Sequence, residues 1–330
     1  MQIGITSTIP SEIIFAAGHI PCDLNNIFIT AADPGHYIEI AESHGFPRTT
    51  CAWIKGIYGV LREQAIDTVI VVSGGDCSNS IALGEVLADE GLHIIPFSYP
   101  PEPDPAQMAI ALKKLAADFS VADAAVATSK KQLDGIRREL GKLDRLTWRE
   151  NRVSGQENFN WLVSASDFNQ DPETFQQELK SFTQQVEAVS PRQPILRLGL
   201  IGVPTILTNF FATLEELGVD VVFNEIPRQF AMPWAPKTSL AEQYSHYTYP
   251  YAAHFRLNDI LRACKERHLD GLIHYTQSFC FRQIEDIIFR RGLQIPILTL
   301  EADQPETIDG RTLTRLETFL EMLRQNKTAP

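Results

Sequence analysis

The chain has 330 residues, 29 Lys plus Arg against 41 Asp plus Glu, and a formal charge of −12. That length suits about two domains of the usual ~150 residues. The acidity argues against a nucleic-acid binder, which needs a basic face to neutralise phosphates, and no apolar run approaches the ~20 residues that span a bilayer.

In chain order, Ile3–Ile5 reads as a short strand, Ser11–Ala17 and Cys51–Gln64 as helices, and Thr68–Val72 and His93–Phe97 as further strands bounded by Gly, Pro or Ser. Pro100-Pro101-Glu102-Pro103-Asp104-Pro105 breaks this alternation. From there to about Val189 the pattern is helical and polar, with a helix start at Asp171-Pro172, and Ser190–Pro194 reads as a linker. Strand-like runs return at Leu198–Ile201, Asp220–Asn224, Gly271–Tyr275 and Ile297–Leu300. Apolar strands alternating with helices imply parallel sheets covered on both faces. The expected architecture is α/β: a Rossmann-like lobe over residues 1–100, a helical insertion and linker over 101–193, and a second Rossmann-like lobe over 194–330.

The two lobes read as copies of one unit. Ile66-Asp67 opens a strand that leads through Ser73-Gly74-Gly75-Asp76 to Cys77, and Leu269-Asp270 opens one that leads through Thr276-Gln277-Ser278-Phe279 to Cys280. Ten residues separate the aspartate from the cysteine in each, and a Gly-Leu turn follows each at Gly91-Leu92 and Gly292-Leu293. Ligands of open parallel sheets sit beyond the carboxyl ends of the strands, so Cys77 and Cys280 converge if the lobes face each other.

The chain has five cysteines. The N-terminus lacks a signal-peptide pattern, so the expected compartment is the cytosol, where cysteines are not a disulfide framework. Cys51 falls at the expected start of the helix before Asp67, a position that favours thiolate. Three thiolates on loop and helix ends, Cys51, Cys77 and Cys280, suit an iron–sulfur cluster or a zinc ion; the bland reading is three buried apolar cysteines. Cys264 shares a helical face with Leu257, Ile260 and Leu261, and Cys22 ends an apolar run, so both read as core. His254 stands sixteen residues before Asp270, as Cys51 does before Asp67. It is a candidate counterpart of Cys51, as a fourth ligand or substrate contact, although a helix-end histidine is the plainer reading.

Four segments carry a resemblance: Ile9-Pro10-Ser11-Glu12 through Ala16-Ala17-Gly18 to Pro21; Cys51-Ala52-Trp53-Ile54-Lys55-Gly56; the Cys77 loop; and Asp270 through Cys280 to Leu300-Glu301-Ala302-Asp303 and Thr314–Glu321. With these, the chain resembles the 2-hydroxyacyl-CoA dehydratase D-component family, which also includes benzoyl-CoA reductase subunits and double-cubane cluster proteins. The resemblance implies two Rossmann-like lobes with an oxygen-sensitive [4Fe–4S] cluster between them, held by Cys51, Cys77 and Cys280. It also implies a cluster-bearing ATPase as activating partner, a like or related subunit as dimer partner, and an acyl-CoA or other small-molecule substrate. In the dehydratases of this family the thioester carbonyl binds an open iron, and one electron makes a ketyl radical that expels the hydroxyl.

Glu12 matches the carboxylate of the opening motif and is the candidate acid/base; a first-turn acid favoured by the helix dipole is the alternative. The family's Cys-Asp pair is altered, since Asp76 precedes Cys77 and Ser78 follows it. The expected function is an iron–sulfur subunit of a radical dehydratase (lyase) or acyl-CoA reductase. The alternatives are a double-cubane [8Fe–9S] reductase of small molecules, for which cysteines are scarce, a zinc-stabilised module, and a nucleotide-binding protein. Against the last, Gly202-Val203-Pro204-Thr205 lacks the Gly-rich phosphate cradle, although Leu198–Glu225 reads as βαβ ending in an acid.

Overall fold

The computed structural model describes residues 1–328. The first lobe runs β1 (Gln2–Ile5), α1 (Ser11–Ala16), β2 (Ile20–Asp23), α2 (Leu24–Thr30), α3 (Pro34–Ser43), α4 (Ala52–Gln64), β3 (Thr68–Gly74), α5 (Ser78–Asp89) and β4 (His93–Ser98). Four helices follow: α6 (Pro105–Asp118), α7 (Asp123–Trp148), α8 (Gly155–Val163) and α9 (Pro172–Glu187). The second lobe runs β5 (Leu196–Gly202), α10 (Phe210–Glu216), β6 (Val219–Asn224), α11 (Glu225–Ala231), α12 (Leu240–Ser245), α13 (Ala253–Glu266), β7 (Gly271–Gln277), α14 (Asp286–Gly292), β8 (Ile297–Ala302) and α15 (Gly310–Thr328).

Each lobe holds a four-stranded, all-parallel sheet, in the order β2-β1-β3-β4 in the first and β6-β5-β7-β8 in the second. These are one topology twice, so the repeat legible around Cys77 and Cys280 extends to the whole sheet. The inner strands β3 and β7 are buried runs of Val, Ile, Leu and Tyr, as strands covered on both faces must be.

One expectation is corrected. Ile20–Asp23 was read only as part of an apolar run, yet it is the edge strand β2, paired along its whole length with β1 and burying Cys22 fully. Pro21 sits where its missing N–H costs no ladder bond, on an edge. On α13, Leu261 is exposed, while Ile260 and Ala263 are buried and half-buried Leu257 and Cys264 pack against the same apolar cluster, as expected of that face.

Helices α6 and α9 start as their sequences dictate, with Asp104 and Asp171 capping free N–H groups ahead of Pro105 and Pro172. The helical middle bonds to both lobes. Asn26 donates to Ser166 Oγ at 3.1 Å, Asn224 donates to Asn158 Oδ1 at 2.8 Å, and Arg267 pairs with Asp144 at 2.6 Å. Among the described residues no helix is long and apolar enough to cross a membrane.

Candidate functional site

A parallel sheet aims the turn after each strand to the same side, and the helix leading into the next strand starts there as well. The carboxyl ends of the two sheets meet across one cleft of about 920 Å³, counted to its open mouth. The first lobe contributes Thr6–Thr8 after β1, Asp23 at the end of β2, and Asp76 and Cys77 after β3. The second contributes Val203–Thr205 after β5, Ile226 after β6, and Gln277 and Cys280 at the end of β7. Phe159 and Val163 of α8 close one side.

The structure brings Cys51, Cys77 and Cys280 together in this lining. Each stands immediately before a helix: Cys51 before α4, Cys77 before α5, and Cys280 before a short helical turn at Phe281–Glu285. All five cysteines are free thiols. Buried Lys55 holds the Cys51 loop by donating to Glu42 at 2.8 Å and to the Arg48 carbonyl at 3.2 Å. Asp76 holds the Cys77 loop, accepting the Cys77 N–H at 2.8 Å and the Ser80 hydroxyl at 2.9 Å, and Ser80 Oγ lies 3.7 Å from Cys77 Sγ. Gly75 is required here: at φ +92 a Cβ would stand 2.6 Å from Pro250 of the second lobe. At Cys280 the turn is made by Phe279 in the left-handed region, φ 64, a conformation that costs a non-glycine residue roughly 1–2 kcal/mol.

The expectation that a helix start would favour thiolate at Cys51 is corrected. Burial pushes its thiol up to about 12 against the Trp53 and Ile54 backbone N–H groups, with lesser contributions from Cys280 and Cys77. Burial also raises Cys77 and Cys280, with nearby Asp76 adding to both. A dry pocket disfavours an anion more than a helix start stabilises one, so these thiols hold their protons until a metal displaces them.

Glu12 lies elsewhere. It is fully buried and outside the cleft lining. Its carboxylate accepts from Gln243 Nε2 and the Tyr244 hydroxyl, both at 2.7 Å, and pairs with Arg137 at 2.8 Å. Burial pushes its pKa up, but Arg137, Tyr244 and Gln243 together outweigh that and hold it below the ordinary value. The candidate acid/base therefore joins α1, α7 and α12 instead of facing a substrate.

His254 lies in the first turn of α13, the plainer of its two readings, and the ligand or substrate-contact alternative falls away. It is exposed, stacks beside Phe255 at 3.9 Å between ring centres, and does not line the cleft. The helix-start counterpart of Cys51 is Ala252, before α13. Ser78 is exposed in the first turn of α5. Cys22 and Cys264 stay outside the lining. Glu225, the acid at the end of the βαβ reading, faces inward: it accepts the Gly202 N–H at 2.9 Å and two bonds from Arg256 at 2.7 and 2.8 Å. It has no ribose to meet, because it is spent on holding the β5 turn.

Asp23 was missed by reading the sequence. It lines the cleft, and its backbone N–H donates to Asp167 Oδ2 at 2.8 Å. Burial, then the Asp23 charge, pushes Asp167 up to about 7, and burial raises Asp23 despite bonds from Ser166 and Asn25. Burial thus makes both carboxyls of the pair harder to ionise than an ordinary aspartate. Nothing local marks the pair, since 144 residues separate the partners. Arg282, also missed, lies 4.1 Å over the Tyr249 ring and donates to Glu285 at 2.9 Å and to the Tyr249 carbonyl at 2.6 Å.

The family model described as 2-hydroxyglutaryl-CoA dehydratase, D-component, matches residues 6–323. The chain belongs to this D-component family. Comparison with individual curated proteins finds no match. Membership makes the chain a dehydratase-type enzyme subunit and implies a partner activating component. The match spans both lobes and the helical middle, so the whole interlobe cleft lies inside the family's common region.

Proposed function

We propose that this D-component chain is the cluster-bearing subunit of a 2-hydroxyacyl-CoA dehydratase-like system, with Cys51, Cys77 and Cys280 holding one [4Fe–4S] cluster in the interlobe cleft. The observation that carries the reading is that three free thiols, from both lobes and far apart in sequence, line one cavity. The donor set fits: soft thiolates select iron–sulfur clusters or zinc. Among the described residues no group of three His, Cys, Asp or Glu side chains is close enough to hold a metal ion, so the reading rests on the shared cleft and the chemistry of the three thiols. No further cysteine reaches the cleft, which favours one cubane over two.

When bound, such a cluster supplies a low-potential electron and an open iron as Lewis acid. The chain's own residues do the rest. Ile29, Trp53, Ile54, Ile57 and Phe159 keep water from the reacting centre. Asp23 and Asp167 behind it, both raised by burial, form the acid pair from which a departing hydroxide takes a proton to leave as water. Asp76 and Ser80 keep the Cys77 loop in place. The electrons come from an ATP-dependent activating partner, and a like or related subunit completes the enzyme as a dimer.

The test is iron and acid-labile sulfide per chain, on protein purified without oxygen. About four of each supports one cubane. About eight irons supports the double-cubane reading, and zinc or no metal in the purified protein overturns the assignment of the cysteines.

A further inference from the structure

Cys280 is the cleft cysteine with a cation two residues away in sequence, Arg282, and that cation is only 6% exposed. The two residues line one small side cavity of about 170 Å³, which shares Val203, Gln277 and Cys280 with the cleft. The guanidinium lies between two rings, 4.1 Å from the centre of Tyr249 and 4.8 Å from that of Phe281. It donates to Glu285 at 2.9 Å and to the Tyr249 carbonyl at 2.6 Å. Its Nε–H has no acceptor among the described residues.

The counter-charge is shared. Buried Arg256 takes both oxygens of Glu225 and one of Glu285, and Arg282 has the other. One carboxylate between two guanidiniums leaves Arg282 less than neutralised. Its charge reaches both cleft loops, where it opposes the burial that raises the Cys280 thiol and the Asp76 carboxyl. Reduction adds negative charge to a thiolate-held cluster, so a fixed cation beside it favours the reduced form. Burial strengthens that effect, because water does not screen the charge. Net charge and hydrogen bonds to sulfur are what set such potentials. A buried N–H without an acceptor is costly, and a cluster or cysteine sulfur is an acceptor for it.

We infer that Arg282 raises the reduction potential of the cluster from the Cys280 side, its buried charge making the cluster easier to reduce. Acting through Cys280, Arg282 is a positioning residue. The inference rests on the assignment of Cys51, Cys77 and Cys280 as cluster ligands.

The experiment titrates the full chain, purified without oxygen, with a europium(II) chelate at pH 7. The reduced cluster is read by electron paramagnetic resonance, and iron is counted on every sample. Arg282→Gln is expected to be at least tenfold less reduced than wild type at the same potential, which for one electron is a midpoint about 59 mV lower. Glu285→Gln removes the shared carboxylate and leaves Arg282 in place, so it is expected to move the midpoint up. Loosened packing alone would move both variants the same way. Shifts of one sign therefore overturn the inference, as does an unchanged midpoint in Arg282→Gln. Should Arg282→Gln take up no iron, Glu285→Gln decides: a raised midpoint supports the charge argument, and an unchanged or lowered one overturns it. Wild type without iron overturns the cluster reading and this inference together, whereas iron-loaded samples with equal midpoints overturn this inference alone.

Discussion

Glu12→Gln separates a buried structural carboxylate from a catalytic one. Glu12 accepts hydrogen bonds from Gln243 and Tyr244 and is ion-paired with Arg137, and glutamine offers one acceptor in place of two anionic oxygens. Tyr244 can turn to the Ile9 carbonyl, 3.1 Å away. Arg137 has less relief: only Asp134, 3.7 Å away and 13% exposed, remains near it. Glu12 and Arg137 are 0% and 1% exposed, so water does not screen the change. Breaking a buried pair from one side costs about 3–5 kcal/mol. With Asp134 left as partial compensation, the expected loss is about 3 kcal/mol, out of the roughly 5–15 kcal/mol typical of a folded protein. Urea unfolding at pH 7 measures it as a lower midpoint. The pH dependence adds a signature. The folded pKa lies below the ordinary value, so this stabilisation is complete above the unfolded pKa of about 4.3 and is lost as pH falls through the folded value. The gap between wild type and variant should stay constant from pH 7 to about pH 5 and narrow below about pH 4.3. A loss under about 1 kcal/mol refutes the reasoning. So does an unchanged midpoint with lost turnover, which would return Glu12 to the chemistry.

Three further predictions follow from other residues. Cys51→Ala, Cys77→Ala and Cys280→Ala each should lose the brown chromophore and most iron, while Cys264→Ala keeps both; full iron in Cys280→Ala would remove that ligand from the set. Asp167 carries a folded pKa of about 7 against about 3.9 unfolded, so its contribution is complete below the unfolded value and falls as pH rises to about 7. Relative to Asp167→Asn, wild type should therefore lose stability as pH rises across that range in thermal unfolding; parallel curves would show that the pair holds no extra proton. Gly202 sits at φ +97, where an added Cβ would lie 2.1 Å from the Tyr275 carbonyl oxygen. Because the obstructing carbonyl is backbone and cannot swing aside, Gly202→Ala should cost more than the roughly 1 kcal/mol of the left-handed conformation alone, and a variant with an unchanged urea midpoint would contradict this.

Local signals carried much of the fold. Apolar strand runs at Thr68–Val72 and Gly271–Tyr275, the Asp171-Pro172 helix start and the break at Pro100–Pro105 all depend on neighbours in sequence. The repeat showed that the lobes are copies of one unit, while the strand order they share came from the tertiary structure. The same logic offered His254 as a counterpart of Cys51: it transferred a residue count from one lobe to the other, whereas the helices before β3 and β7 differ in length, Ala52–Gln64 against Ala253–Glu266. β2 escaped notice because an edge strand of four residues with a proline carries little strand signal.

The sequence by itself determined that this is a two-lobed α/β chain and which three cysteines end its strands and start its helices. Spacing and flanking pattern are enough for that, because strand ends and helix starts are local events. Only the tertiary structure decided what surrounds those thiols. It took Glu12 out of the cleft lining and brought Asp23 in against Asp167. Burial and charge pairing depend on residues 100 or more positions apart, such as Glu12 with Arg137 and Gln243. No local pattern encodes which of them will meet, so the chemistry of the pocket emerges only when the two sheets close on each other.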